Sequence, residues 1–183
     1  MRALVGAHGP CTLMQSPRPH FHNLAWAIVN QQLSVKAAHA IEQRLLARFG
    51  APDFQPEHFT RTREATLRKC GLSGAKVRYL REIAGQVGNG LIDLGALDDE
   101  DDDAVSARLM ALPGIGRWTA DMFLMFSLGR LDVLPLGDLA LRKSIRAHYR
   151  LAEDAAHAAY LDVAERWRPY RTVASWYCWA AVD

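Results

Sequence analysis

Cysteine is scarce in the 183-residue chain: Cys11, Cys70 and Cys178 lie far apart. That spacing excludes a zinc pattern and a disulfide framework, and an odd count points to buried free thiols in a reducing compartment. No apolar run approaches the ~20 residues of a membrane span, and the N-terminus has no signal-peptide pattern. The seven histidines lack metal-ligand spacing, with His20 and His22 the one close pair. There is no strand-like alternation, no internal repeat and no low-complexity tract. A large excess of one charge is missing as well, the net charge being +2.

What is present is helical patterning and a local charge bias. Residues 1–103 balance 12 basic against 12 acidic side chains. Residues 104–152 carry seven basic ones (Arg108, Arg117, Arg130, Arg142, Lys143, Arg146, Arg150) against three acidic ones (Asp121, Asp132, Asp138), an excess that can attract a polyanion, with an ordinary solvated basic face as the alternative. Apolar residues recur at helical spacing from Leu24 to Phe49, interrupted at Asn30-Gln31-Gln32-Leu33-Ser34, where Ser34 can cap a second helix. After a Pro- and Asp-rich loop (51–56), helices are expected over 61–69, 76–87 (capped by Ser73), 104–111, 117–128, 138–149, 155–167 and 170–181. The six consecutive acids from Asp98 to Asp103 suit a helix start, whose dipole favours them, better than a metal site. The predicted fold is all-α: two helical lobes with a cleft between them over residues 21–183, preceded by an irregular arm or short packed segment (1–20).

Leu112-Pro113-Gly114-Ile115-Gly116 lies between two predicted helices. Gly114 and Gly116 permit positive φ and leave backbone N–H groups uncovered. The helix beginning at Arg117 adds its own free amides, so the turn can hold a phosphate. A plain helix–turn–helix corner is the alternative. Asp138 follows Gly137 and starts a helix, as an N-cap worth about 1 kcal/mol would. Trp118 and Trp179 stand at helical spacing, for which core packing is the ordinary explanation.

Leu112-Pro-Gly-Ile-Gly-Arg-Trp-Thr-Ala120, then Asp132-Val-Leu-Pro135 and Asp138, resembles the helix-hairpin-helix DNA glycosylase superfamily, and within it the bacterial 3-methyladenine DNA glycosylase II enzymes. Asn30-Gln-Gln-Leu-Ser-Val35, Cys70-Gly-Leu-Ser73 with Lys76 and Tyr79-Leu80, and Ala164-Glu-Arg-Trp-Arg-Pro-Tyr-Arg171 through Trp179 match in order, over about residues 20–181. The resemblance implies an intracellular, nucleoid-associated monomer acting on duplex DNA with damaged bases. The resemblance is to the compact form, which is expected to lack the β-rich domain that precedes the core in the larger relatives.

Residue by residue, the resemblance implies that Asp138 is the catalytic carboxylate, stabilising an oxocarbenium-like sugar as the N-glycosidic bond of an alkylated base breaks. Gly114, Gly116 and Arg117 hold DNA phosphate. The carbonyls of Met110, Leu112 and Ile115 hold a structural Na⁺ or K⁺. Gln32 fills the gap left by the extruded base, although capping of backbone groups at a helix break is the alternative for it. Trp118, Trp179, Met122 and Leu139 line the base pocket, where aromatic faces suit a cationic alkylpurine. Met122 and Leu139 replace tyrosines of the larger enzyme, which leaves lesion choice open. Phe21, His22 and Trp26 are candidates for the far wall. Trp118 occupies the position of the Schiff-base lysine of the bifunctional relatives, and the four-cysteine iron–sulfur pattern is missing, so strand cleavage is not expected. The competing readings are a glycosylase for deaminated or oxidised bases and a non-catalytic DNA-binding scaffold.

Overall fold

A computed structural model describes residues 1–182, and among them every regular element is helical. Eleven α-helices run in order: α1 Arg2–His8, α2 His20–Asn30, α3 Val35–Phe49, α4 Pro56–Arg61, α5 Glu64–Lys69, α6 Gly74–Gly88, α7 Asp102–Met110, α8 Arg117–Phe126, α9 Leu139–Tyr149, α10 His157–Glu165 and α11 Arg171–Ala180. The caps explain the boundaries. Ser34 and Ser73 accept from the N–H groups of Ala37 and Lys76, both at 3.3 Å, and start α3 and α6. Gly50, at φ 65°, closes α3 in the left-handed conformation and donates to Leu46 O. In the acidic run, Asp101 caps α7 by accepting from Asp103 and Ala104, so these acids do begin a helix.

Two cores form. The first joins α2–α8 around Leu24, Ile28, Leu45, Leu80, Ile83 and Leu124. The second joins α1 and α9–α11 around Leu4, Leu141, Ile145, Tyr160 and Tyr177. Each fully buried Leu or Ile contributes roughly 1.5–3 kcal/mol. Residues 2–8, read as irregular from sequence, are a helix whose Leu4 belongs to the second core. Tyr177 OH donates to Gly9 O at 2.8 Å and holds the helix end there. Residues 15–16 then return to the first lobe, where Gln15 Nε2 donates to Ser127 O and Ser16 N to Phe126 O. The stretch predicted as one helix over 61–69 is divided: α4 begins at Pro56, and α5 covers only Glu64–Lys69.

The strand-free connection from α8 to α9 joins the lobes and is pinned along its length. Thr172 OH donates to Arg130 O at 2.7 Å and accepts from Val133 N at 3.0 Å. Asp132 accepts from Arg171 and Arg168. Burial by itself would raise the Asp132 pKa, but hydrogen bonds from Arg171 and the two guanidinium charges outweigh it and bring the pKa below the ordinary value. This fixed connection delivers Asp138 to the junction of the two cores.

Candidate nucleic-acid interface and carboxylate site

Asp138 is the N-cap of α9, and its Oδ1 accepts from Leu141 N at 2.8 Å. The same oxygen accepts from Trp179 Nε1 at 3.0 Å, and Oδ2 accepts from Trp118 Nε1 at 3.0 Å. One carboxylate therefore receives an indole N–H from each lobe in addition to its helix cap. Hydrogen bonds to an ionised acceptor are the strong ones, and three of them stabilise the anion and fix its direction. Sequence reasoning nominated both tryptophans as aromatic walls and missed their N–H groups as donors. Trp118 is 40 % exposed, the more accessible of the two indoles. Trp179 stacks on Phe126, with ring centroids 6.2 Å apart, and touches both cores.

The other pocket candidates divide. Met122, one turn after Trp118 on α8, is half-buried against the first core. Leu139 is 77 % exposed and projects from the start of α9 beside Asp138. His22 is buried in the first lobe, and Phe21, nearly buried, lines a different cavity beside His20, Pro56 and Ile92 that includes neither Asp138 nor either indole. His22 Nδ1 accepts from Phe54 N at 3.0 Å, which leaves the ring proton on Nε2, 3.3 Å from Glu42 Oε1. Burial, with Arg18 adding to it, pulls the His22 pKa down. Trp26 stacks on the exposed His39 at 4.9 Å. A cavity of about 460 Å³ opens nearby between α7, α8 and α10, against Ser106, Arg117, Asp121 and His157, but it does not include Asp138 or either indole.

The hairpin follows its sequence with one correction. Gly114 has φ 79°, but Gly116 is extended at φ −99° and caps α8. Only Gly114 therefore uses the left-handed region. A Cβ on Gly114 would lie 2.5 Å from Tyr79 Cδ2, whereas a Cβ on Gly116 would meet nothing within 4 Å. Glycine at 114 is required by backbone and neighbour together; at 116 it keeps the approach to the amides open. Among the described residues, the N–H groups of Gly116, Arg117, Trp118 and Thr119 have no acceptor, which is the arrangement that binds a phosphate at a helix N-terminus. Arg117 is exposed, but its Nε donates to buried Asp121 Oδ1 at 2.9 Å, so part of its charge is spent within its own helix.

Leu112 O accepts from Ile115 N at 3.2 Å, while the carbonyls of Met110 and Ile115 accept no hydrogen bond among the described residues. Free carbonyl oxygens are hard donors of the kind an alkali cation takes, so the donor set fits the predicted ion. Gln32 is exposed and sits at φ 57°, and its side chain makes no hydrogen bond among the described residues. The backbone-capping role considered for it falls to its neighbour: Gln31 Nε2 donates to Gly114 O at 2.8 Å. Lys76 Nζ donates to Val29 O at 2.8 Å and Gln31 O at 2.7 Å, closing the C-terminus of α2.

Comparison with known proteins agrees with this geometry. A family model described as HhH-GPD superfamily base excision DNA repair protein matches residues 25–169. The chain is 36 % identical over 181 residues to DNA-3-methyladenine glycosylase 1 of Schizosaccharomyces pombe, covering 96 % of this chain and 78 % of that protein. Its fold superposes on a DNA-3-methyladenine glycosidase from Bacillus halodurans with TM-score 0.90 and 37 % identity, covering 100 % of this chain and 83 % of the other. It also superposes on the Schizosaccharomyces pombe 3-methyladenine DNA glycosylase Mag1, solved with abasic DNA, with TM-score 0.84 and 33 % identity over 97 % of this chain and 88 % of the other.

Proposed function

Because the chain belongs to the HhH-GPD superfamily of base excision DNA repair proteins, we propose that it is a monofunctional DNA glycosylase that hydrolyses the N-glycosidic bond of alkylated bases of the 3-methyladenine type. One observation carries the reading: a carboxylate at a helix N-terminus, held by indole N–H groups from both lobes, one of them from a partly exposed tryptophan. A cationic alkylpurine stacked on Trp118 would gain cation–π attraction from the indole. As the bond from C1′ to the base nitrogen lengthens, its electron pair leaves with the base, which departs neutral. Positive charge then grows on the sugar, and the fixed Asp138 anion stabilises it. Water adds its oxygen to C1′ and loses a proton, and Asp138 Oδ2, with one hydrogen bond accepted, retains a lone pair to receive it. Trp118 offers no amine for a Schiff base, so the product is an abasic site on an intact strand.

The DNA phosphate sits on the amides from Gly116 to Thr119 with Arg117 beside them. A Na⁺ or K⁺ bound by the carbonyls of Met110, Leu112 and Ile115 would add positive charge to this anchor. Gln32 fills the space left by the extruded base. One chain supplies the hairpin, the carboxylate and both indoles, so a monomer suffices. The test is base release from duplexes with alkylated, deaminated or oxidised bases, using wild type and Asp138→Asn. Release of the alkylated base is expected to fall at least ~100-fold in the variant, with DNA binding retained. Wild-type release by the variant overturns the role of Asp138. No release from any duplex by the wild type favours the non-catalytic scaffold, and preferred release of a deaminated or oxidised base reassigns the substrate.

A further inference from the structure

We infer that Lys76 and Gln31 are positioning residues that lock the loop of Gln32 to the phosphate-anchoring hairpin, so that base extrusion and phosphate anchoring keep a fixed relative register. The inference rests on the proposed function and on Gln32 as the gap-filling residue. Three contacts make a closed circuit. Lys76 Nζ, on α6, donates to Val29 O in the last turn of α2 at 2.8 Å and to Gln31 O, just past that helix, at 2.7 Å. The Gln31 side chain then crosses to the hairpin and donates to Gly114 O at 2.8 Å. Gly114 in turn packs against the ring of Tyr79, which is one turn beyond Lys76 on α6. The helix α6 therefore grips the loop with one residue and abuts the hairpin with another, and Gln31 joins the two across 83 positions of sequence.

The physical need for such a device lies in Gln32. Its backbone is left-handed at φ 57°, a conformation that costs a non-glycine residue about 1–2 kcal/mol, and its own side chain is tied to nothing among the described residues. The loop keeps that conformation because the residue before it is held at both its backbone carbonyl and its side-chain amide. The ammonium of Lys76 also meets the negative end of the α2 dipole, and it is half-buried there, where burial lowers its pKa. A surface lysine would contribute nothing comparable. Without the lock, Gln32 still exists but no longer stands at a set distance from the phosphate that fixes the duplex.

The test compares base release from two substrates: an alkylated base in a fully paired duplex, and the same base opposite an abasic site, where it is already unpaired. Lys76→Met and Gln31→Ala are expected to lower the paired-to-unpaired rate ratio by ~10-fold or more, the scale on which misplacement of a reacting group acts. Lys76→Arg, which retains charge and donors, is expected to recover part of the ratio. A merely structural loss would lower both rates together. An unchanged ratio in Gln31→Ala, whose side chain is not needed for any core, overturns the lock even if Lys76→Met fails to fold. Two controls separate this from the readings beneath it. Gln32→Ala must lower the same ratio; if it does not while Lys76→Met does, the lock stands and another residue of the loop fills the gap. Asp138→Asn must abolish release from both substrates, and its failure to do so strikes the proposed function and leaves the ratio test intact.

Discussion

Replacing Gly114 by Ala separates two penalties that the hairpin imposes at one position. The first is conformational: at φ 79° an alanine enters the left-handed region, at a cost of about 1–2 kcal/mol. The second is steric. The new Cβ would stand 2.5 Å from Tyr79 Cδ2, 2.9 Å from Cε2 and 3.0 Å from Cγ, a clash with the body of a half-buried ring that forces repacking at about 1–3 kcal/mol. Together they predict a loss of about 2–5 kcal/mol by urea denaturation followed through tryptophan fluorescence. The Tyr79→Ala background should remove the steric part and leave the conformational part, giving a coupling of about 1–3 kcal/mol in a double-mutant cycle. Gly116→Ala is the matched control. Its φ is −99° and nothing lies within 4 Å of the added Cβ, so its stability should change by less than about 1 kcal/mol. Its methyl group nevertheless adds bulk next to the free amides proposed to hold phosphate, so DNA affinity should fall while the fold is kept. A Gly114→Ala protein within about 1 kcal/mol of wild type, or an additive cycle, would refute the reasoning.

Two further outcomes follow from contacts elsewhere. Trp179→Phe keeps the stacking on Phe126 but removes the donor to Asp138 Oδ1; a hydrogen bond to a charged group is worth about 1.5–3 kcal/mol, so single-turnover base release should slow by ~10-fold or more with little change in KM, and an unchanged rate would reduce that indole to packing. His22 has a folded-state pKa lowered from 6.5 by burial and by Arg18, so folding favours the neutral ring: its contribution is complete above pH 6.5 and is lost as pH falls below it through the folded pKa. Glu42 and Asp53 beside the ring oppose that shift without cancelling it. The acid limb of the stability profile should therefore be shallower in His22→Gln, whose amide can still accept from Phe54 N; an identical limb would show that the ring does not titrate in that range.

Legibility from sequence tracked locality. The starts of α3, α6, α7 and α9 could be read because Ser34, Ser73, the acidic run and Asp138 signal their own caps within three residues. The helix α1 could not, because Leu4 is its single buried residue and gives no periodicity. The helix α4 was hidden in a loop rich in Pro and Asp, although proline at the first helical position is itself a start signal. In the site, the pairing of Arg117 with Asp121 was available from i,i+4 spacing and would have tempered its assignment to phosphate. The contact of Gln31 with Gly114 and those of the two indoles with Asp138 join residues far apart in sequence. Residue chemistry could nominate these groups, but only the packing of α6 against the hairpin and of α8 and α11 against the connection shows which atoms meet.

That packing also explains why the carboxylate stands where it does. The hairpin packs on the first core through Leu112 and Ile115, and Gln31 and Lys76 tie the Gln32 loop to the same lobe, so the parts assigned to DNA anchoring are joined to one another. Asp138 caps α9, a helix of the second core, yet one of its oxygens is bound by an indole of the first. Its direction is therefore set by both lobes, and a relative displacement of a few tenths of an ångström would lengthen one of the two indole hydrogen bonds. The connection resists such displacement through Thr172 and through the Asp132 contacts with Arg168 and Arg171, none of which touches the carboxylate. A charge that must face the sugar as positive charge develops gains most from being fixed beforehand, since reorganisation during the reaction would add to the barrier. On the proposed function, the salt bridges of the connection thus act on chemistry through position, and the indole at 118 joins two tasks in one side chain: its N–H aims the anion, and its ring is the surface proposed for the base.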